Sequence, residues 1–131
     1  MNSRRAFILG SAAALGCGRR RATAFPGYAF VANQGEQSIA VVDLTTFSVA
    51  RQIRLEAAPS AIAADRQRRA VYVLAPQNGM IYEIDATTLA VKRKLSLGAE
   101  VVSMRMAPAG GSLWLLCQSP HSLVQVELDR F

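Results

Sequence analysis

Residues 70–97 read AVYVLAPQNGMIYEIDATTLAVKRKLSL, three short apolar segments separated by residues that favour turns. The same pattern stands earlier in the chain, where residues 28–33 read YAFVAN and residues 38–43 read SIAVVD. It begins again at residues 112–116, which read SLWLL. The chain therefore carries an internal repeat. One aromatic residue marks each copy, and the three are equally spaced along the sequence: Phe30, Tyr72 and Trp114.

Each copy has the features of a small antiparallel sheet. Asn78-Gly79 lies between two apolar segments and suits a hairpin, because both residue types tolerate positive φ. In the segment that follows, Ile81 and Glu83 alternate with Tyr82 and Ile84, as expected for a strand. A period of about 40–45 residues built from short strands is typical of a β-propeller, in which four-stranded blades surround an axis. The sequence therefore predicts an all-β fold.

We predict ten strands in three repeats, residues 28–55, 59–97 and 101–131. The first repeat lacks the strand nearest the axis and the third lacks the outermost one. The predicted fold is thus a β-propeller fragment of about two and a half four-stranded antiparallel blades. Since closed rings have about four to eight blades, we expect a truncated propeller. Self-assembly into a ring is the alternative, although joining the two incomplete repeats into one sheet would give too many strands.

The net charge of +6 is concentrated at the N-terminus. Residues 1–24 hold five arginines and no acidic residue, whereas residues 25–131 hold ten basic and nine acidic residues. A near-neutral body produces no strong field for a polyanion, so we expect no nucleic-acid partner. We interpret two short basic clusters, residues 66–69 and 92–94, as solvated surface charge.

Residues 1–24 have the layout of an export signal. Arg4 and Arg5 precede an apolar run at residues 6–16, which is too short for a membrane-spanning helix. With Phe7 after the arginine pair, the segment resembles the twin-arginine export signal, although Leu9 stands where that signal usually has lysine. A general secretory leader is the alternative. Both interpretations predict an extracytoplasmic protein, in the periplasm or cell envelope.

Two processing sites remain open. Ala22-Thr23-Ala24 has the small-x-small form that signal peptidase prefers, and cleavage there would leave a propeller segment of residues 25–131. The residues before Cys17 resemble a lipoprotein box, in which that cysteine is lipidated and anchors the chain. Cys117 is the only other cysteine, so we expect no disulfide within the chain. Its apolar surroundings predict a buried, inert thiol.

The repeats resemble the YVTN-type β-propeller family, whose unit reads tyrosine-valine-x-asparagine, then a polar turn and an apolar strand that ends in aspartate. Here the pattern appears as FVAN at residues 30–33 with Asp43, and as YVLA at residues 72–75 with Asp85. The third copy is degenerate. The resemblance covers nearly all of residues 28–129 and implies an extracytoplasmic propeller. It implies little about activity, because one fold hosts unrelated functions.

Three aspartates recur once in each repeat: Asp43, Asp85 and Asp129. We interpret them as structural turn residues, since a carboxylate that closes a strand can accept hydrogen bonds from the following backbone N–H groups. A ring of carboxylates around a cation is the weaker alternative. His121 is the only histidine and has no neighbouring metal ligands in the sequence. We predict no catalytic, metal-binding or cofactor-binding residue, and no cofactor.

These observations favour an exported, non-enzymatic β-propeller protein whose blade loops bind or scaffold an unidentified protein or small-molecule ligand. The alternative is a fragment of a periplasmic redox enzyme associated with a quinone cofactor or haem, because several such enzymes are propellers and twin-arginine export carries folded proteins. We expect membrane contact only through a lipid anchor or the export machinery. A homo-oligomer is expected if separate chains complete one ring.

Overall fold

The computed structural model describes residues 24–131, which form ten β-strands in three separate sheets. The first sheet contains β1 (Tyr28–Asn33), β2 (Ser38–Asp43) and β3 (Ser48–Arg54). The second sheet contains β4 (Ala61–Asp65), β5 (Ala70–Ala75), β6 (Met80–Asp85) and β7 (Ala90–Ser96). The third sheet contains β8 (Glu100–Met106), β9 (Ser112–Ser119) and β10 (His121–Glu127). Short 3₁₀ helices span Pro76–Asn78 and Leu128–Arg130.

All three sheets are antiparallel and follow chain order, so within a sheet each strand pairs with the strands next to it in the sequence. The predicted all-β class, the ten strands and their division among three sheets are confirmed. The residues predicted to form the export signal, Arg4, Arg5 and Phe7, and the predicted lipidation residue Cys17 lie outside the described residues.

The repeat is visible in the strand register. Phe30 pairs with Val41, Tyr72 with Glu83 and Trp114 with Gln125, so each pair lies one repeat beyond the previous one. A register shift falls between Val41 and Val42 in the first sheet and between Glu83 and Ile84 in the second. The repeat therefore preserves an irregularity of the sheet as well as its regular pairing.

One backbone hydrogen bond recurs in all three repeats. The N–H groups of Leu44, Ala86 and Leu128 donate to the carbonyls of Gly27, Arg69 and Gly111 at 3.0, 2.8 and 3.0 Å. Each bond joins the turn after one strand to the residue that precedes the neighbouring strand. Because only backbone atoms take part, glycine and arginine serve equally as the acceptor residue.

Two apolar interfaces hold the three sheets together. The first lies between the first and second sheets and buries Ile39, Val41, Ile53, Val71, Val73, Tyr82 and Ile84. The second lies between the second and third sheets and buries Tyr72, Leu74, Ile81, Val101, Leu113, Leu115 and Cys117. The second sheet contributes alternate residues of β5 to opposite interfaces, as the alternation of side chains along a strand requires. Cys117 is free and buried, as expected.

The connection between β5 and β6 is longer than the predicted tight hairpin. Pro76–Asn78 form a 3₁₀ turn, and Gly79 alone takes the left-handed conformation, with φ +60°. A Cβ atom on Gly79 would lie 2.9 Å from the carbonyl oxygen of Ala99. Glycine is therefore required at this position by both backbone conformation and space.

Candidate functional site

The strand connections gather at two ends of the sheets. We call one the aspartate end; it is formed by the loops at residues 44–47, 66–69, 86–89 and 107–111. The opposite end carries the loops at residues 34–37, 55–60, 76–79 and 97–99 and the peptide bond between Ser119 and Pro120. Loops held by a rigid sheet are the usual place for binding residues, so a cleft at either end is a candidate site.

At the aspartate end, Asp43 and Asp85 accept hydrogen bonds from the backbone of the turn that follows each residue. The N–H of Thr45 donates to Asp43 Oδ1 at 2.7 Å. The N–H groups of Thr87 and Thr88 donate to Asp85 Oδ1 at 2.7 and 3.0 Å. These hydrogen bonds lower the pKa of both carboxyl groups, because they stabilise the charged form.

Asp129 differs from the other two aspartates. It lies in the 3₁₀ helix after β10, its side chain is 83% exposed, and it accepts a hydrogen bond from the Arg68 guanidinium. The residue in register with Asp43 and Asp85 is Glu127, because it pairs with Ser112 as Asp85 pairs with Ala70. The prediction placed Asp129 in this series because it is an aspartate. In the backbone, the spacing between Asp43 and Asp85 is repeated between Asp85 and Glu127.

Asp65 is a turn residue that the sequence interpretation missed. It ends β4, is buried, and accepts hydrogen bonds from the N–H groups of Gln67 and Arg68 at 2.9 and 3.2 Å. The Arg68 guanidinium also donates to Asp65 Oδ2 at 3.2 Å. Burial opposes the charged form, but these donors prevail and lower the pKa of Asp65. An aspartate at the end of a predicted strand was the available signal.

An apolar cleft at the aspartate end has a volume of about 490 Å³ and lies between the first and second sheets. Phe25, Tyr28 and Phe30 line one side of it, while Val71 lines the other. Arg66 and Arg69 lie at its rim, and both residues are exposed. The cleft thus combines aromatic and aliphatic walls with two guanidinium groups.

The charge at this rim is positive. Asp65 lies there too, but its carboxylate is already neutralised by the Arg68 guanidinium. Within residues 24–131, neither Arg66 nor Arg69 forms an ion pair with a carboxylate. Guanidinium groups bind carboxylate and phosphate oxygens through paired N–H donors, so the rim suits an anionic group.

A second cleft, of about 470 Å³, lies at the opposite end between the second and third sheets. Gln77, Asn78, Glu100 and Ser119 line it together with Gly79 and Gly98, so its walls are mostly polar. His121 begins β10 nearby in the sequence, and its side chain is exposed. The part of the chain that the structure describes brings no other histidine, cysteine or acidic residues together with it as a metal cluster.

The basic clusters are more organised than the sequence interpretation allowed. Arg93 Nε donates to the buried carboxylate of Glu83 at 2.6 Å, and this partner raises the pKa of Arg93. Lys94 forms an ion pair with Glu56.

Over the residues with described positions, no helix is long and apolar enough to cross a membrane.

No protein-family model matches this chain, and no curated protein matches it in sequence. Solved structures do share its fold. The hydrazine synthase of Kuenenia stuttgartiensis aligns with a TM-score of 0.70 at 18% identity, over 79% of this chain and 30% of that chain. The dihydro-heme d1 dehydrogenase NirN aligns with a TM-score of 0.68 at 17% identity, over 83% and 23%.

Apo AztD from Citrobacter koseri aligns with a TM-score of 0.65 at 20% identity, over 79% of this chain and 29% of that chain. The chain therefore spans less than a third of each of these structures. At such low identity the likeness establishes a β-propeller-like fold and nothing finer. The resemblance to the YVTN-type family stays a prediction from the repeat pattern.

Proposed function

We propose that this chain is part of an exported β-propeller protein that binds a small organic anion in the cleft between its first and second sheets. The observation that carries the proposal is the pair Arg66 and Arg69, which have no carboxylate partner among residues 24–131 and stand at the rim of an apolar cleft. Apolar walls with a few placed polar groups are the usual design of a ligand site.

The geometry favours a ligand with an aromatic or aliphatic body and one anionic group. The body would lie against Tyr28, Phe30 and Val71, which supply apolar area on two sides of the cleft. The anionic group would accept hydrogen bonds from Arg66 and Arg69. A role in binding rather than catalysis agrees with the aspartates at this end, because their carboxylates are occupied by backbone N–H groups.

Calorimetric titration with indole-3-acetate, and with its uncharged amide, tests this proposal. The chain is expected to bind the acid and to bind the amide at least about tenfold more weakly, since a charge-assisted hydrogen bond contributes about 1.5–3 kcal/mol. The double variant Arg66→Gln/Arg69→Gln should lose this preference. Arg54→Gln, an exposed arginine at the opposite end, is the matched control. Equal binding of acid and amide by the unaltered chain would reject the proposal.

Export is the second part of the proposal, and the sequence of residues 1–24 supports it. Fusion of this segment to a reporter that is active only outside the cytoplasm provides the measurement. Under twin-arginine export, Arg4→Lys/Arg5→Lys abolishes reporter activity, whereas a general secretory leader tolerates the change. Cys17→Ser distinguishes the processing sites, because it removes membrane association of the fusion only if this cysteine is lipidated.

A fragment of a redox propeller enzyme is the second candidate function. It is favoured by the similarity in fold to two enzymes, a hydrazine synthase and a dihydro-heme d1 dehydrogenase. The visible absorption spectrum of the chain purified from its natural host tests it. A haem or quinone band that remains through purification would support a redox role, and a spectrum with only aromatic absorption would count against it.

A further inference from the structure

The two interfaces between sheets are built from equivalent faces, and this equivalence points to a third. We call the face that each sheet turns toward the next sheet its forward face. The forward face of the first sheet includes Phe30, Ala32, Ile39 and Val41, and that of the second includes Tyr72, Leu74, Ile81 and Glu83. The equivalent residues of the third sheet, one repeat further on, are Trp114, Leu116, Leu123 and Gln125.

The forward faces differ sharply in exposure. Ile39, Leu74 and Ile81 are each 0% exposed, because the next sheet covers them. On the third sheet, Trp114 is 37% exposed, Leu116 50% and Leu123 64%. Three large apolar side chains of the third sheet are therefore exposed at positions that the first and second sheets use to pack against the next sheet. Exposed apolar patches of this kind mark interaction sites on soluble proteins.

The first sheet carries the complementary open face. We call the face that each sheet turns toward the previous sheet its reverse face. On the second sheet, Val73 and Ile84 belong to it and are each 0% exposed beneath the first sheet. The equivalent of Val73 on the first sheet, Val31, is 49% exposed, and Val49 on the same sheet is 64% exposed. This reverse face has nothing packed on it within the described chain.

We propose that the forward face of the third sheet packs on the reverse face of the first sheet of a second copy of this chain. The same two kinds of face already meet twice within the chain, so the new contact continues an established interface. The occupant is a second copy because one chain displays both complementary halves. Gln125 stands where the second sheet has Glu83, so closing the contact buries no carboxylate at this position.

The contact is head-to-tail, since the two faces that meet are different. Such contacts generate rings when the rotation closes and open chains when it does not. The sheets remain separate and stack face to face, so no sheet needs more than four strands. Joining the two incomplete repeats edge to edge would give one sheet with too many strands, and face-to-face stacking avoids this excess.

Sedimentation velocity of the full chain across a concentration series tests the proposal. The unaltered chain is expected to form oligomers whose size rises with concentration. Leu123→Glu on the forward face and Val49→Glu on the reverse face should each weaken association at least about tenfold, because they bury a charge in an apolar contact. Ala109→Glu, in an exposed loop outside both faces, should behave like the unaltered chain. All variants share the same N-terminal segment.

Mixing the two weakened variants gives the decisive result. The forward face of Val49→Glu and the reverse face of Leu123→Glu are both intact, so a mixture should form heterodimers that grow no further. Circular dichroism of each variant checks that the exposed substitutions leave the sheets folded. A chain that stays monomeric at every concentration overturns the proposal, and so does a mixture that forms no heterodimer.

Discussion

The two interfaces between sheets share a backbone register but differ in chemistry. At the first, Phe30 lies opposite Val41, and both side chains belong to the apolar cluster between the sheets. At the second, one repeat further on, Tyr72 lies opposite Glu83, whose side chain is only 3% exposed. The same repeat position therefore holds a valine in one interface and a buried carboxylate in the other. The backbone repeat fixes where the side chains meet and leaves their chemistry free to vary.

The buried charge changes its surroundings. Glu83 is held by Arg93 at 2.6 Å and by Lys92 at 3.7 Å. The Arg93 guanidinium also lies 5.3 Å from the ring centre of Phe131 and donates to the Phe131 carbonyl oxygen at 2.9 Å. Burial, together with the negative charge of Glu83, raises the pKa of Tyr72 to about 12. The second interface thus contains a buried ionic network at a position where the first interface has the apolar Val41.

The largest expected effects come from the apolar positions that both interfaces share. Ile39→Ala and Ile81→Ala remove equivalent, fully buried side chains. Each should lower the free energy of unfolding by about 3 kcal/mol, through lost burial and the cavity left behind. Urea denaturation followed by circular dichroism measures both. Losses that differ strongly between the two variants would show that the interfaces are not equivalent in their apolar part.

The next effect separates the two interfaces. Arg93→Ala leaves the buried Glu83 carboxylate with only the longer contact to Lys92 and should cost about 2 kcal/mol, less than for a fully buried pair because Arg93 is partly exposed. Arg51 is the equivalent residue of the first sheet, is exposed, and has only a 3.4 Å contact to a Thr88 carbonyl. Arg51→Ala, the matched control, should cost less than about 0.5 kcal/mol. Similar losses for the two arginines would contradict the comparison.

A smaller effect concerns the ionic link across the second interface. Asp65 and Asp129 both accept hydrogen bonds from Arg68, so this arginine joins the second sheet to the third. Asp65→Asn should cost about 1 kcal/mol near neutral pH. Because the pKa of Asp65 is lowered on folding, its contribution is complete above about pH 4 and is lost as the pH falls further.

Denaturation midpoints at pH 6 and pH 3 test the sign of this dependence. The unaltered chain should lose more stability between these two pH values than Asp65→Asn loses. Asp129→Asn is the control, because its side chain is exposed and can exchange Arg68 for water. If Asp65→Asn loses as much stability between pH 6 and pH 3 as the unaltered chain, Asp65 is not a stabilising carboxylate.

The smallest effect is expected at Tyr72. Its hydroxyl is buried without a hydrogen-bond partner among the described residues, while its ring packs edge-on against Phe131 at 5.6 Å. Tyr72→Phe keeps the ring and removes the unpaired hydroxyl, so stability at neutral pH should stay the same or rise by up to about 1 kcal/mol. A marked loss would indicate that the hydroxyl has a partner.

Tyr72→Phe should also change how the stability of the chain depends on pH in the alkaline range. Since folding raises the pKa of Tyr72 from 10 to about 12, the unaltered chain should lose stability as the pH rises through this range. Tyr72→Phe should lose less, measured by denaturant midpoints at pH 9 and pH 11. The substitution Phe30→Leu, at the equivalent position of the first interface, should leave the alkaline loss unchanged.

The repeat pattern was sufficient to predict the sheets, because the equal spacing of Phe30, Tyr72 and Trp114 coincides with the strand register. It was insufficient for Asp129, which was matched to Asp43 and Asp85 because all three are aspartates. The residue in register with them is Glu127, two positions earlier. The alternation around Glu83 indicated a strand, but burial of that side chain depends on a sheet stacked over it. No local pattern carries such information.

The cleft could not be predicted for a related reason. Phe25 and Tyr28 come from the first sheet's N-terminal side, whereas Arg66, Arg69 and Val71 flank a turn of the second sheet. Packing between the sheets brings these groups together. That packing results from many apolar contacts between residues far apart in the sequence, and no local motif specifies it. Asp65 was more accessible to prediction, since a strand-ending aspartate before a polar turn is a recognisable local signal.

The recurring backbone bond from Leu44, Ala86 and Leu128 has an evolutionary consequence. A stretch one repeat long begins and ends at the same point of the pattern wherever it is cut, and this bond between two strands of a sheet depends on main-chain atoms alone. Tandem duplication of such a stretch adds a whole sheet and recreates the bond, whereas an insertion of another length within a strand breaks it. Duplication of one repeat can therefore change the number of sheets without altering the main-chain pattern within each sheet.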